Sequence, residues 1–265
     1  MFTIPVRARI LHAMSAPDTP TPSDTEAQLL RLAQSGTKRI EKLSVENRTY
    51  WVKRREQLSL SLRLRKGNAD RAFERERAAL KTLSAAGLPV AGIVAEGPDF
   101  FVTPDSGVPL SRLLAQGTLS EDARQRIIVE AARGLAQFHT KGVSHGHPRI
   151  KDVCWNAAED AVCFIDLERF DAHTNTPKGH ARDIVVFFYS LIHAGVAPAK
   201  LDAAKQAYLA QDTAENWELA KRYCRKLVPL EWLTRPLQHL PKGKGREFKT
   251  IPRVMAFFLD QAAGV

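Results

Sequence analysis

Apolar positions follow two different periods along this chain, and the change from one to the other divides it. Residues 38–45 (KRIEKLSV) and 49–54 (TYWVKR) are strand-like runs around the turn Glu46-Asn47-Arg48. Ahead of them, Asp24 to Ala33 reads as a short helix capped by Ser23 or Asp24. Residues 69–86 switch to helical spacing, with Phe73, Leu80 and Leu83 on one face, until Gly87 and Pro89 stop the helix. Two further strands are predicted at 90–95 and 100–103, then a turn-rich joint at 104–107 and a short helix at 110–116. Ser120 caps a long helix over 121–140, with Ile127, Ile128, Ala131, Leu135 and Phe138 as its stripe. A polar loop, 144–152, leads to two short strands at 153–155 and 162–165, and most of the chain from Ala181 onward reads as helix.

Strands with one helix, a joint, and then mostly helix around one hairpin make a two-lobed α+β arrangement. The expected organisation is a flexible segment over 1–23, a β-rich N-lobe over 24–104 and a helical C-lobe over 105–265. The stretch SAPDTPTPSD has the composition of a disordered linker.

Composition adds one constraint. The 265 residues carry a formal net charge of +10, which suits an anionic partner: a nucleotide, an acidic glycolipid, a membrane surface or nucleic acid. A generally basic solvated surface accounts for it equally well. Runs such as RLRK (63–66) and KGKGR (242–246) fit contact with an anionic membrane surface. Nucleic acid ranks lower, because no base-stacking motif or recognition helix accompanies the charge. The three cysteines form no C-x-x-C pair and are too few for a disulfide framework; Cys154 and Cys163 are expected as buried thiols on neighbouring strands. The longest apolar run, Ile184 to Ala197, is too short to cross a bilayer, and the first fifteen residues lack the apolar core of a secretory signal. A cytoplasmic protein is expected, with the inner face of the membrane as a candidate peripheral contact. The tryptophans Trp51, Trp155, Trp217 and Trp232 show no cage-like spacing and are expected in packing.

The chemistry-bearing residues fall in a definite order. Lys53 closes YWVK on a strand, where its ammonium could pair with phosphate oxygens. Glu76, beside the apolar face of the next helix, is placed to orient Lys53, with Glu74 as its rival. The loop His145-Gly146-His147-Pro148-Arg149-Ile150-Lys151-Asp152 has the His-to-Asn spacing of H-R-D-x-x-x-x-N, with Asp152 in the asparagine's place. After the hairpin, Asp166 directly follows an apolar strand, so Asp152 and Asp166 are candidate Mg²⁺ ligands flanking a β-ribbon. Arg149 and Lys151 make the loop basic and could neutralise phosphate or bind an acidic sugar or headgroup.

These motifs resemble the protein-kinase-like superfamily over about residues 30–195. Within it the chain is most similar to bacterial lipopolysaccharide core (Kdo/heptose) kinases and related small phosphotransferases. The resembling stretches are YWVK, FERERAALKTL, AAGLPV, SHG, IDLER and ARDI. The resemblance implies an ATP- and Mg²⁺-dependent kinase acting on a hydroxyl of an acidic sugar or glycolipid. It also implies that Asp183 braces the catalytic loop. Two departures stand out. Between Gln34 and Arg48 the sole glycine is Gly36, so no G-x-G-x-x-G covers the phosphates. The residue at the H-R-D aspartate position is His147. A neutral imidazole could act as base, Asp152 could share the role, or the domain could be a pseudokinase that binds nucleotide or a partner without transfer.

Overall fold

The structure is a computed structural model, and it describes residues 22–56, 69–234 and 246–259. The run RLRK, all of KGKGR but Arg246, the Trp232 side chain and all but two residues of the expected flexible segment lie outside the described residues.

The N-lobe is a four-stranded antiparallel sheet in the order β1-β2-β4-β3, formed by β1 (Ile40–Val45), β2 (Arg48–Arg54), β3 (Ala95–Gly97) and β4 (Phe100–Pro104). Glu46 and Asn47, both at positive φ, make the two-residue β1–β2 turn, the geometry that matches the right-handed twist of a hairpin. Helix α1 (Pro22–Ser35) covers one face. Leu29 and Ala33 pack there with Leu43, Val45, Tyr50, Val52, Phe100 and Val102, the alternate positions of three strands. The other face carries Trp51, Lys53 and Phe101, and Phe101 meets Phe73 of α2 (Ala69–Ala85) at 5.2 Å between ring centroids. The predicted strand at 90–95 joins this sheet only at its end, where Val94 N–H bonds the Val102 carbonyl and Ala95 opens β3. Pro89 and Val90 instead pair with Phe164 of the C-lobe, so this segment is spent on crossing between lobes.

A second, three-stranded sheet joins β5 (Val108–Pro109) to β6 (Val153–Asn156) and β7 (Ala161–Phe164). Strand β5 is only two residues long, too short to leave an alternating pattern in the sequence. The C-lobe helices are α3 (Leu110–Gln116), α4 (Glu121–Thr140), α5 (Pro177–His193), α6 (Pro198–Leu209), α7 (Asn216–Thr234) and α8 (Arg246–Leu259). Three of these starts are fixed by side chains: Ser120 Oγ accepts from Ala123 N–H at α4, Thr176 Oγ1 from Gly179 N–H at α5, and the Asp212 carboxylate from Asn216 and Trp217 N–H at α7. The main core runs through α4 and α5, where Ile128, Leu135, Phe138, Ile184, Phe187 and Phe188 are fully buried. Burying such side chains contributes roughly 1.5–3 kcal/mol each. This is the two-lobed α+β, kinase-like architecture expected from the pattern. Among the described residues no helix is long and apolar enough to cross a membrane.

Candidate active site

Lys53 projects from β2 into an ion pair with Glu76 of α2, and its Nζ also lies 3.0 Å from Glu168 Oε1 in the C-lobe. Burial alone would lower the Lys53 pKa, but Glu76 and then Glu168 outweigh it and hold the ammonium charged. Glu76 is buried, and burial lifts its carboxyl above the ordinary range despite the Lys53 charge. The rival Glu74 pairs with Arg55 instead. Glu168 also takes Arg39 at 3.3 Å, and its own pKa falls: burial is opposed and overcome by Lys53 and Arg39. A cavity of about 260 Å³ opens beside this group, lined by Arg39, Lys53, Arg54, Glu56, Phe73 and Glu168.

The 144–152 loop is held from behind. Asp183, fully buried on α5, accepts the Gly146 N–H at 3.1 and 3.2 Å. Gly146 has φ +97°, and a Cβ there would stand 2.6 Å from the Arg169 carbonyl oxygen, so only glycine fits the close approach of the two loops. His145 donates Nε2–H to the Ile165 carbonyl at 3.1 Å and accepts the His147 N–H on Nδ1 at 3.4 Å. Burial lowers its pKa, in keeping with that neutral tautomer. Ser190 Oγ accepts from Ile150 N–H, and the Asp152 carbonyl accepts from Ile165 N–H at 2.9 Å. The loop and the residues around Asp166 are thereby fixed to each other.

Asp152 and Asp166 come together on this frame. Lys151 Nζ lies 3.2 Å from Asp152 Oδ1 and 3.9 Å from Asp166 Oδ2. Burial pushes the Asp152 carboxyl up to about 6; Lys151 opposes the rise and Asp166 adds to it. Asp166 itself sits at φ 63°, ψ 57°, a left-handed conformation uncommon outside glycine, asparagine and aspartate. His147 is half-buried. Burial, with Arg169, Arg149, Arg182 and Lys151 nearby, pushes its imidazole down to about 4. Arg182 also donates to the Gly146 carbonyl at 2.8 Å.

The sequence model of the phosphotransferase enzyme family APH matches residues 38–246, which is most of the chain and all of this site. The chain belongs to the phosphotransferase enzyme family. An "Uncharacterized protein" of Haemophilus influenzae is 26% identical over 222 residues, covering 83% of this chain and 90% of the relative. Among solved structures, the bifunctional kinase-methyltransferase WbdD is similar at 18% identity with a TM-score of 0.45, over 65% of this chain and 42% of that one. A second structure, of monomeric WbdD, gives 18% and 0.43 over 83% and 44%. This chain therefore spans less than half the length of either WbdD chain. A divergent kinase lacking the glycine-rich loop, which regulates membrane ultrastructure of the Toxoplasma parasitophorous vacuole, gives 14% and 0.44 over 73% and 80%.

Of the candidates singled out from sequence, Lys53 meets Glu76, Lys151 lies between Asp152 and Asp166, and Asp183 braces the loop that carries His145 and His147, while Glu74 turns to Arg55. Lys53, Glu76 and Glu168 form one ion-paired group and Asp152, Lys151 and Asp166 a second, with His145 and Asp183 bracing the loop. Trp51 departs from the packing role expected of it. It is 39% exposed, shares the Lys53 face of β2, and donates Nε1–H to Asp105 in the interlobe joint at 2.7 Å. Its spacing of two from Lys53 on a strand was the available signal. Trp217 is buried and Trp155 packs against the core, as expected. Cys154 and Cys163 sit opposite each other on β6 and β7 as free thiols, with burial pushing Cys154 up to about 12.

Proposed function

We propose that this chain is an ATP- and Mg²⁺-dependent phosphotransferase acting on a hydroxyl of an acidic sugar or glycolipid. The observation that carries the reading is that Lys53, held charged by Glu76, reaches Glu168, two residues beyond Asp166, while Lys151 lies 3.2 Å from Asp152 and 3.9 Å from Asp166. Phosphoryl transfer needs cations on the phosphates and positioning of the acceptor more than covalent help from the protein. Lys53 would bind phosphate oxygens in place of Glu168, and Glu76 would keep it oriented. The exposed face of Trp51 would support the base.

Asp152 and Asp166 would hold the divalent ion. Two carboxylates suit Mg²⁺, which takes one or two from the protein and completes its shell with phosphate oxygens and water. Among the described residues no cluster of three or more His, Cys, Asp or Glu offers a fuller cage. The ion, when bound, neutralises charge on the transferring phosphoryl group. His147 would sit at the acceptor hydroxyl as a neutral hydrogen-bond acceptor. Arg149, Arg169 and Arg182 have no carboxylate partner within 4 Å among the described residues, which suits an acidic acceptor.

A second reading, a pseudokinase that binds nucleotide or a partner without transfer, is favoured by His147 at the aspartate position and by the β1–β2 hairpin lacking glycine. Thermal-shift titration with ATP and Mg²⁺, followed by labelled phosphate transfer to acidic sugars, separates the two. ATP at a hundredfold over its Kd should stabilise the chain by about 2.7 kcal/mol. His147→Ala should keep that shift and lose transfer about 100-fold or more. A shift with no transfer to any acceptor supports the second reading, and no shift at all argues against both nucleotide-based readings.

A further inference from the structure

Lys151 makes a contact for which the proposed transfer has no use. Its ammonium lies between the two carboxylates assigned to the metal, 3.2 Å from Asp152 Oδ1 and 3.9 Å from Asp166 Oδ2. The partners differ in freedom. Asp152 is 5% exposed, and its backbone is bonded on both sides, N–H to the Arg149 carbonyl and C=O to the Ile165 N–H. The Lys151 side chain is 55% exposed at the end of a flexible four-carbon stem. A strongly hydrated point charge in that position screens two facing carboxylates and can still swing into water.

We propose that Lys151 is a resident counter-ion that competes with a divalent cation for Asp152 and Asp166, so that the metal enters together with its nucleotide rather than ahead of it. This rests on the reading of the two carboxylates as metal ligands. The charges give the reason. A bare cation must displace the ammonium and leave it without a partner, whereas a metal–nucleotide complex arrives with phosphate oxygens that the displaced ammonium can pair with. Lys151 therefore opposes the free ion and does not oppose the complex.

The test titrates Mn²⁺ alone into the full chain and follows the spin-resonance signal of the unbound ion. Lys151→Met should bind Mn²⁺ roughly two- to fivefold tighter than wild type, the scale of one partly exposed ion pair. Lys151→Arg, which keeps the charge, should stay close to wild type. Adding a non-hydrolysable ATP analogue should erase the advantage of Lys151→Met. Equal Mn²⁺ affinity in wild type and Lys151→Met, or a gain that persists with the analogue, overturns the competition while leaving the metal site standing. If Asp166→Asn binds Mn²⁺ as well as wild type, or if neither wild type nor Lys151→Met binds it, the metal assignment itself falls and the competition with it.

Discussion

His147, proposed to meet the acceptor hydroxyl, has an unusual electrostatic setting for a proton acceptor. Burial and four neighbouring cations bring its imidazole to about 4, so it is neutral throughout the range in which most enzymes work. A base that weak strips protons poorly but still orients a hydroxyl, and a loose phosphoryl transition state asks for orientation. The group that titrates near neutrality is Asp152, at about 6. The pH dependence of kcat/KM should therefore fall as pH drops through about 6, with no inflection from His147 near the ordinary histidine value. The same acid limb should persist in the residual activity of His147→Gln; an inflection that vanishes in this variant would contradict the assignment. Lys53, Glu76, Asp152 and Asp166 were legible because their spacing follows the order of strands, helix and hairpin. The positions of Lys151 and Glu168 were not, since each bridges groups set by tertiary structure, 115 residues apart for Lys53 and Glu168.

At the scale of elements, helix α4 and strand β7 approach so closely that Gly134 leaves no room for a side chain. A Cβ there would lie 2.8 Å from the Phe164 ring and 3.0 Å from Val162, and Phe164 is fully buried. Helix propensity alone favours alanine over glycine by about 1 kcal/mol. Overpacking typically costs about 1–3 kcal/mol, so Gly134→Ala should be neutral to destabilising rather than stabilising in urea denaturation. A clear gain in stability would show that the hairpin yields. The same hairpin carries Asp152 and Asp166 at its two ends, so its seat on α4 is also the seat of the candidate metal site. Apolar periodicity announced α4 and both hairpin strands; it could not announce the lobe crossing at 88–93, where Pro89 and Val90 pair with Phe164 rather than with the N-lobe sheet. Likewise it showed α1 as a helix but not that α1 lies over the sheet face opposite Lys53.

At the scale of the whole molecule, the braced loop rests on a buried polar layer. His180 Nδ1 and Ser144 Oγ are 2.9 Å apart, and the His180 ring stacks on His139 at 4.6 Å; Tyr208 reaches His139 Nδ1 at 2.6 Å. Burial, aided by His139, lowers the His180 pKa to about 4. Below the unfolded value near 6.5, the unfolded chain takes up a proton that the folded one refuses, and stability is lost as pH falls toward 4. The stability gap between wild type and His180→Asn should therefore narrow by up to about 2 kcal/mol between pH 7 and 5. A gap independent of pH would place the proton elsewhere.

Lys53 has one further consequence. One of its carboxylates belongs to the upper lobe and the other, Glu168, to the lower. Swinging the halves apart strips the ammonium of a partner, so the molecule carries its own clasp at the very spot where a guest would enter. An incoming anion need not supply the closing force; it need only take over the lodging of the anion already there.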